Sequence, residues 1–241
     1  MRVCTEALGL AAVAVFAFSV SVAPLQAQES EKNDSESPQQ REQPAWAFAE
    51  HSFTNEKLKS EIAQFLSNGY VPVGMDVTPD GTLSILYALN TWFEYNNWAI
   101  QEFTNLNNLT AELSTVMNEG WVPMAISATD DSLHVLLLET ELDIEEWQIA
   151  VGPLSTESAL ATLDGWKNDG YTPWALTLTP DDEIWYLFLK QSTIPTDAVL
   201  FNGFENNQQA ITNGLNRDIQ DTWYPWGLMR GDQTTFVQYL R

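Results

Sequence analysis

The sequence predicts an α+β fold: four tandem strand–helix–strand–strand (βαββ) repeats of about 50 residues, packed into one continuous body with helices on one face of the sheets. Three observations predict it. An aromatic-x-Pro-x-small string recurs as Tyr70-Val-Pro72-Val-Gly74, Trp121-Val-Pro123-Met-Ala125, Tyr171-Thr-Pro173-Trp-Ala175 and Trp223-Tyr-Pro225-Trp-Gly227. Its prolines stand 51, 50 and 52 residues apart. Ahead of each string a short apolar stretch opens on Trp46, Trp98 or Trp147, with Val199 in that place before the fourth. The repeats so defined cover 46–97, 98–146, 147–198 and 199–241.

Each element follows from local pattern. The opening stretches alternate as half-buried strands do. A polar segment then leads to apolar residues four apart: Leu58, Ile62 and Leu66; Leu109, Leu113 and Met117; Ile211, Leu215 and Ile219. Such spacing forms one stripe along a helix, the face that packs on a sheet. In the third repeat Ala159 and Leu163 keep the stripe and Lys167 breaks it, with Trp166 beside it to cover the gap. Thr54 or Asn55, and Ser155 or Thr156, suit the helix start, while Gly69, Gly120 and Gly170 suit the left-handed residue that ends one. The Pro strings are second strands, with proline at a start or an edge, where the missing N–H costs no ladder bond. Their small residue (Gly74, Ala125, Ala175, Gly227) is expected to admit the helix backbone. Tight turns follow, among them Pro79-Asp80-Gly81 and Arg230-Gly231-Asp232. The third strands, such as Leu133–Leu138 and Ile184–Leu189, are almost wholly apolar, which implies burial on both faces.

The segment ahead of the repeats is of another kind. Arg2, an apolar run from Ala7 to Ala23 and then Pro24-Leu25-Gln26-Ala27 read as a secretory signal over 1–27, the competing reading being a retained anchor. Residues 28–45 are polar and charged and read as a disordered linker. Export to the periplasm or the exterior is therefore expected. Cys4 is the only cysteine and falls inside the signal, so the remaining chain has no thiol and no disulfide.

Charge narrows the partners. With 33 Asp+Glu against 10 Lys+Arg, the net charge of −23 repels nucleic acids and anionic membrane surfaces. No Lys or Arg stands between Lys59 and Lys167, so the acidity lies in the repeats themselves. Hydrophobic residues make up 44 %, enough for a packed core in spite of the charge.

No catalytic set is readable. There is no phosphate-cradling glycine loop and no Gly-x-Ser-x-Gly elbow. His51 and His134 are far apart and read as structural, no residues are assigned as metal ligands, and no cofactor is expected. The acids from Glu139 to Glu146 and in the turns admit weak calcium binding, weighed against a solvated linker and ordinary Asp turn chemistry. Trp46, Trp98, Trp147, Tyr70, Trp121, Tyr171, Trp223 and the prolines Pro72, Pro123, Pro173 and Pro225 recur with the repeat, as structural positions do. Trp92, Phe93 and Tyr95 do not recur. They lie in the connector between the first two repeats and are the candidate ligand-binding residues, since aromatics beside carboxylates stack on sugars or anchor proteins. The alternative is that they fold down over the sheet edge.

The unit resembles small bacterial βαββ domains of unknown function that carry a Gly-Trp-x-x-Val string after their helix. Gly69-Tyr70, Gly120-Trp121 and Gly170-Tyr171, with the opening tryptophans, match it, and the prolines depart from it. The resemblance implies the fold and no activity. The expected function is an exported, non-enzymatic repeat module that binds a protein or glycan partner at the cell envelope or outside the cell. The alternatives are a hydrolase acting on a cell-wall or extracellular polymer, and a structural envelope protein with an acidic, calcium-screened surface.

Overall fold

The computed structural model describes residues 46–53, 56–89, 93–153, 156–192, 198–220, 223–231 and 233–241. The expected signal and linker, Trp92, the caps at Thr54, Asn55 and Ser155, the side chains of Thr156, Ala159 and Ile219, and Asp232 fall outside them. Mixed helices and strands form four three-stranded sheets. The first comprises β1 (Trp46–Ser52), β2 (Tyr70–Val77) and β3 (Thr82–Leu89), with α1 (Leu58–Ser67) between β1 and β2. The second has β4 (Tyr95–Phe103), α2 (Leu109–Asn118), β5 (Trp121–Ala128) and β6 (Leu133–Thr140). The third has β7 (Ile144–Pro153), α3 (Thr156–Asn168), β8 (Thr172–Leu178) and β9 (Glu183–Gln191). The fourth has β10 (Val199–Glu205), α4 (Gln208–Gln220), β11 (Tyr224–Arg230) and β12 (Thr234–Leu240).

In every sheet the last strand lies in the middle, antiparallel to both neighbours, as in the order β1-β3-β2. That position explains the unbroken apolar runs. β4 and β7 begin three residues ahead of Trp98 and Trp147, and each carries a register irregularity there. The stretch Glu139–Glu146 is therefore the end of β6, a short turn and the start of β7.

The helical stripes pack as their spacing requires. Leu58, Ile62 and Leu66 are buried in α1, and Leu109, Leu113 and Val116 in α2, with Met117 half-buried. Leu163, Ile211 and Leu215 are buried as well. Trp166 stacks on Phe188 with ring centroids 5.1 Å apart, which covers the place left by exposed Lys167. Gly69, Gly120 and Gly170 end their helices at φ of 84°, 88° and 85°, the left-handed region where a Cβ is costly. No helix among the described residues is long and apolar enough to cross a membrane.

The second strands bring the sheets together. β2 contacts β5, β5 contacts β8, β8 contacts β11 and β11 contacts β2, a closed circuit. Each has a bulge directly after its proline, at Val73, Met124, Trp174 or Trp226, and all four residues are fully buried. Trp174 and Trp226 meet edge to face at 5.1 Å, and Trp174 Nε1 donates to the Pro123 carbonyl at 2.8 Å. The small residue after the bulge serves this circuit and not the helix. A Cβ on Gly74 would lie 2.5 Å from the backbone nitrogen of Leu228, and one on Gly227 would lie 2.7 Å from Leu176 Cδ2. The expectation of a helix at this position is thus corrected: the neighbouring second strand comes this close.

Candidate functional site

Where two second strands meet, one register position recurs with different chemistry. Asp76, Ser127, Thr177 and Met229 stand opposite Ser84, His134, Trp185 and Phe236 in their own sheets. Each pair faces the neighbouring sheet. Ser127 Oγ accepts the Val77 N–H at 2.8 Å, and Thr177 Oγ1 accepts the Ala128 N–H at 3.0 Å. The Asp76 carboxylate accepts the Arg230 N–H. Met229 carries no oxygen and packs with Leu178 and Phe236 in an apolar cluster.

What fills each junction differs accordingly. Between the first two sheets Phe53 lies edge-on to His134, centroids 5.1 Å apart, and burial holds the imidazole below its ordinary pKa against the pull of Glu102. Between the third and fourth sheets the filling is Leu178, Met229 and Phe236. Between the fourth and first it is Arg230, whose Nη1 donates to Glu50 Oε1 at 3.0 Å and to Ser84 Oγ at 2.7 Å. Asp76, only 6 % exposed, lies beside it, and desolvation lifts its carboxyl to about 6 although the Arg230 charge draws it down. The Arg of the Arg230-Gly231-Asp232 tripeptide is thereby turned into the closing seam.

The junction between the second and third sheets is open. A cleft of about 150 Å³ lies there, walled by Leu106, Thr129 and Trp185, with Asp130, Asp181 and Glu183 at its lip. Ala128 stands where the other sheets have Val77, Leu178 and Arg230, so its methyl leaves the space vacant. Half-buried Trp185 forms one wall, and Val151, half-exposed, stands directly opposite it in the β7–β9 ladder. Asp130 and Asp181 lie in the turns after β5 and β8, and neither Trp185 nor Ala128 is among the candidate residues read from the sequence. The signal was present: with the four Pro strings superimposed, Ala128 is the smallest residue at its place.

The aromatic connector sits elsewhere. Phe93 and Tyr95 are half-buried and pack against the core, and Tyr95 Oη donates to the Leu66 carbonyl at 2.5 Å, at the end of α1. Thr140 Oγ1 donates to the Glu94 carbonyl at 2.7 Å, so the connector is tied to both flanking sheets. Trp92 lies outside the described residues. Of the recurring aromatics, Trp46 and Tyr70 are buried, whereas Trp98, Trp121, Trp147, Tyr171 and Trp223 are half-buried. Pro72, Pro123, Pro173 and Pro225 are buried, each next to its bulge.

One array has the form of proton-transfer chemistry. His51 Nδ1 lies 2.8 Å from Glu61 Oε2, and its Nε2 lies 3.5 Å from the Tyr87 hydroxyl. Tyr87 is fully buried under α1 against Phe65, and burial pushes its phenol up, so the array joins β1, β3 and α1 without reaching solvent at the tyrosine. In the fourth sheet Asn202 Nδ2 donates to Asp218 Oδ2 at 2.6 Å, again tying the first strand to the helix. Among the described residues no three His, Cys, Asp or Glu are grouped as metal ligands.

No family model matches the chain, and no curated protein matches it.

Proposed function

We propose that this chain is an exported, non-enzymatic recognition module for a protein or glycan partner at the cell envelope or beyond it. In this reading the four sheets are copies of one βαββ repeat of the kind found in small bacterial domains of unknown function, closed into one body with helices on one face of each sheet. The same strand order in all four sheets and the matching bulges support the repeat. One observation carries the recognition reading. Three junctions are filled by the chain's own side chains, while the fourth keeps an open cleft with a Trp wall and an acidic lip.

The same cleft favours the rival hydrolase in one respect, because carboxylates from two sheets lie around it. A single experiment separates the two. The purified chain is incubated with cell-wall polymer, and retention in the pellet and release of reducing ends are read on the same sample. Saturable retention without release is expected. Release that grows with time and is lost in Asp181→Asn or Glu183→Gln overturns the binding module in favour of the hydrolase. Trp92→Ala with Tyr95→Ala, assayed alongside, tests the connector: unchanged retention removes it from the binding surface.

A further inference from the structure

We propose that the cleft between the second and third sheets binds the guanidinium side chain of an arginine presented by a protein partner. The inference rests on the recognition reading and narrows it to a protein partner carrying an organic cation. The argument comes from the molecule's own closing seam. There the side chain at the Ala128 position is Arg230, and its guanidinium lies over Ser84, the counterpart of Trp185, with Glu50 as its counter-charge. The Arg230 side chain is only 15 % exposed, so this junction geometry accepts a guanidinium on an aliphatic stem. At the open junction the stem is missing and the space remains.

The walls favour the same group. A guanidinium stacks on an indole face and draws on the negative quadrupole of the ring. Trp185 supplies that ring, and Leu106, which also lines the cleft, offers an apolar surface for the methylene stem. Asp130, Asp181 and Glu183 supply negative charge at the lip.

The test uses the full chain and the blocked tripeptide Gly-Arg-Gly, with its citrulline counterpart as the neutral isostere. The reporter is the Trp185 indole N–H resonance, assigned by Trp185→Phe. The Arg peptide is expected to shift this resonance saturably and the citrulline peptide is not. Ala128→Leu, which installs the side chain found at the Leu178 position, is expected to weaken binding at least ~10-fold, a gap that any change in a 1:1 dissociation constant reveals directly. Asp181→Asn combined with Glu183→Gln supplies a second variant that leaves the cleft's volume unchanged, and it is expected to weaken binding as well. The proposal is overturned if the citrulline peptide, glucose or calcium moves the resonance as strongly as the Arg peptide. It is also overturned if both variants bind like the parent, or if the Arg peptide produces no shift. Retention on envelope material that survives Ala128→Leu would remove this site and leave the recognition reading intact.

Discussion

Asp76 makes the closing seam sensitive to pH, and the sense of the effect is unusual for a carboxylate beside an arginine. In the folded chain its carboxyl is lifted from 3.8 to about 6, because burial outweighs the Arg230 charge and N–H. The fold therefore holds the Asp76 proton more tightly than the unfolded chain does. Below about pH 3 the group is protonated in both states and costs nothing. As pH rises from about 4 to about 6 the unfolded chain ionises first, and stability falls. Each pH unit between the two values is worth ~1.4 kcal/mol, so about 3 kcal/mol present at pH 3 and below is gone by pH 7. Asp76→Asn removes this titration and keeps a carbonyl oxygen for the Arg230 N–H. Urea unfolding followed by tryptophan fluorescence at each pH from 4 to 8 provides the comparison, and the other carboxylates cancel between the two proteins. The variant's stability relative to the parent should rise by about 2.4 kcal/mol across the window from pH 4 to 7. A difference that is flat from pH 4 to pH 7 refutes the reasoning, since the parent's Asp76 would then titrate alike in both states.

Other predictions concern packing and charge. Gly74→Ala drives a Cβ toward the Leu228 backbone, where only movement of the second strands relieves the clash, and it should cost about 3 kcal/mol in urea unfolding. Ala125 and Ala175 hold the same place in their sheets, so their replacement by Gly should cost far less. Tyr95→Phe removes the bond to the Leu66 carbonyl and should cost about 1 kcal/mol, with partner retention unchanged if the hydroxyl serves only to tie β4 to α1. At a net charge of −23 the melting temperature should rise by about 4 °C from low salt to about 1 M, as screening relieves self-repulsion. A flat melting temperature would show that the acids are spaced widely enough not to interact.

The sequence carried the local architecture and left the closure unread, for a physical reason. Helix stripes, strand runs and left-handed glycines are set by residues within one turn or one pleat of each other, and Leu58, Ile62, Leu66 and Gly69 could be placed from spacing alone. The circuit depends on meetings between residues some 150 positions apart, such as Gly74 with Leu228, and no periodicity encodes them. The proline strings nevertheless explain why the circuit forms as it does. Pro72 and its counterparts remove a donor from the outer edge of each second strand, and the bulge that follows bends that edge away from pairing. The neighbouring sheet then cannot extend the ladder. It approaches through side chains and their hydrogen bonds to its backbone, as at Ser127, Thr177 and Trp174, and four sheets of three strands result in place of one closed barrel. Because these junctions are joined by side chains, each tolerates different chemistry on the same backbone: an aromatic pair at His134, an ion pair at Arg230, an apolar plug at Met229. A junction can then lose its filling at Ala128 without loss of the fold, and a scaffold of this kind can open a cleft by a single truncation.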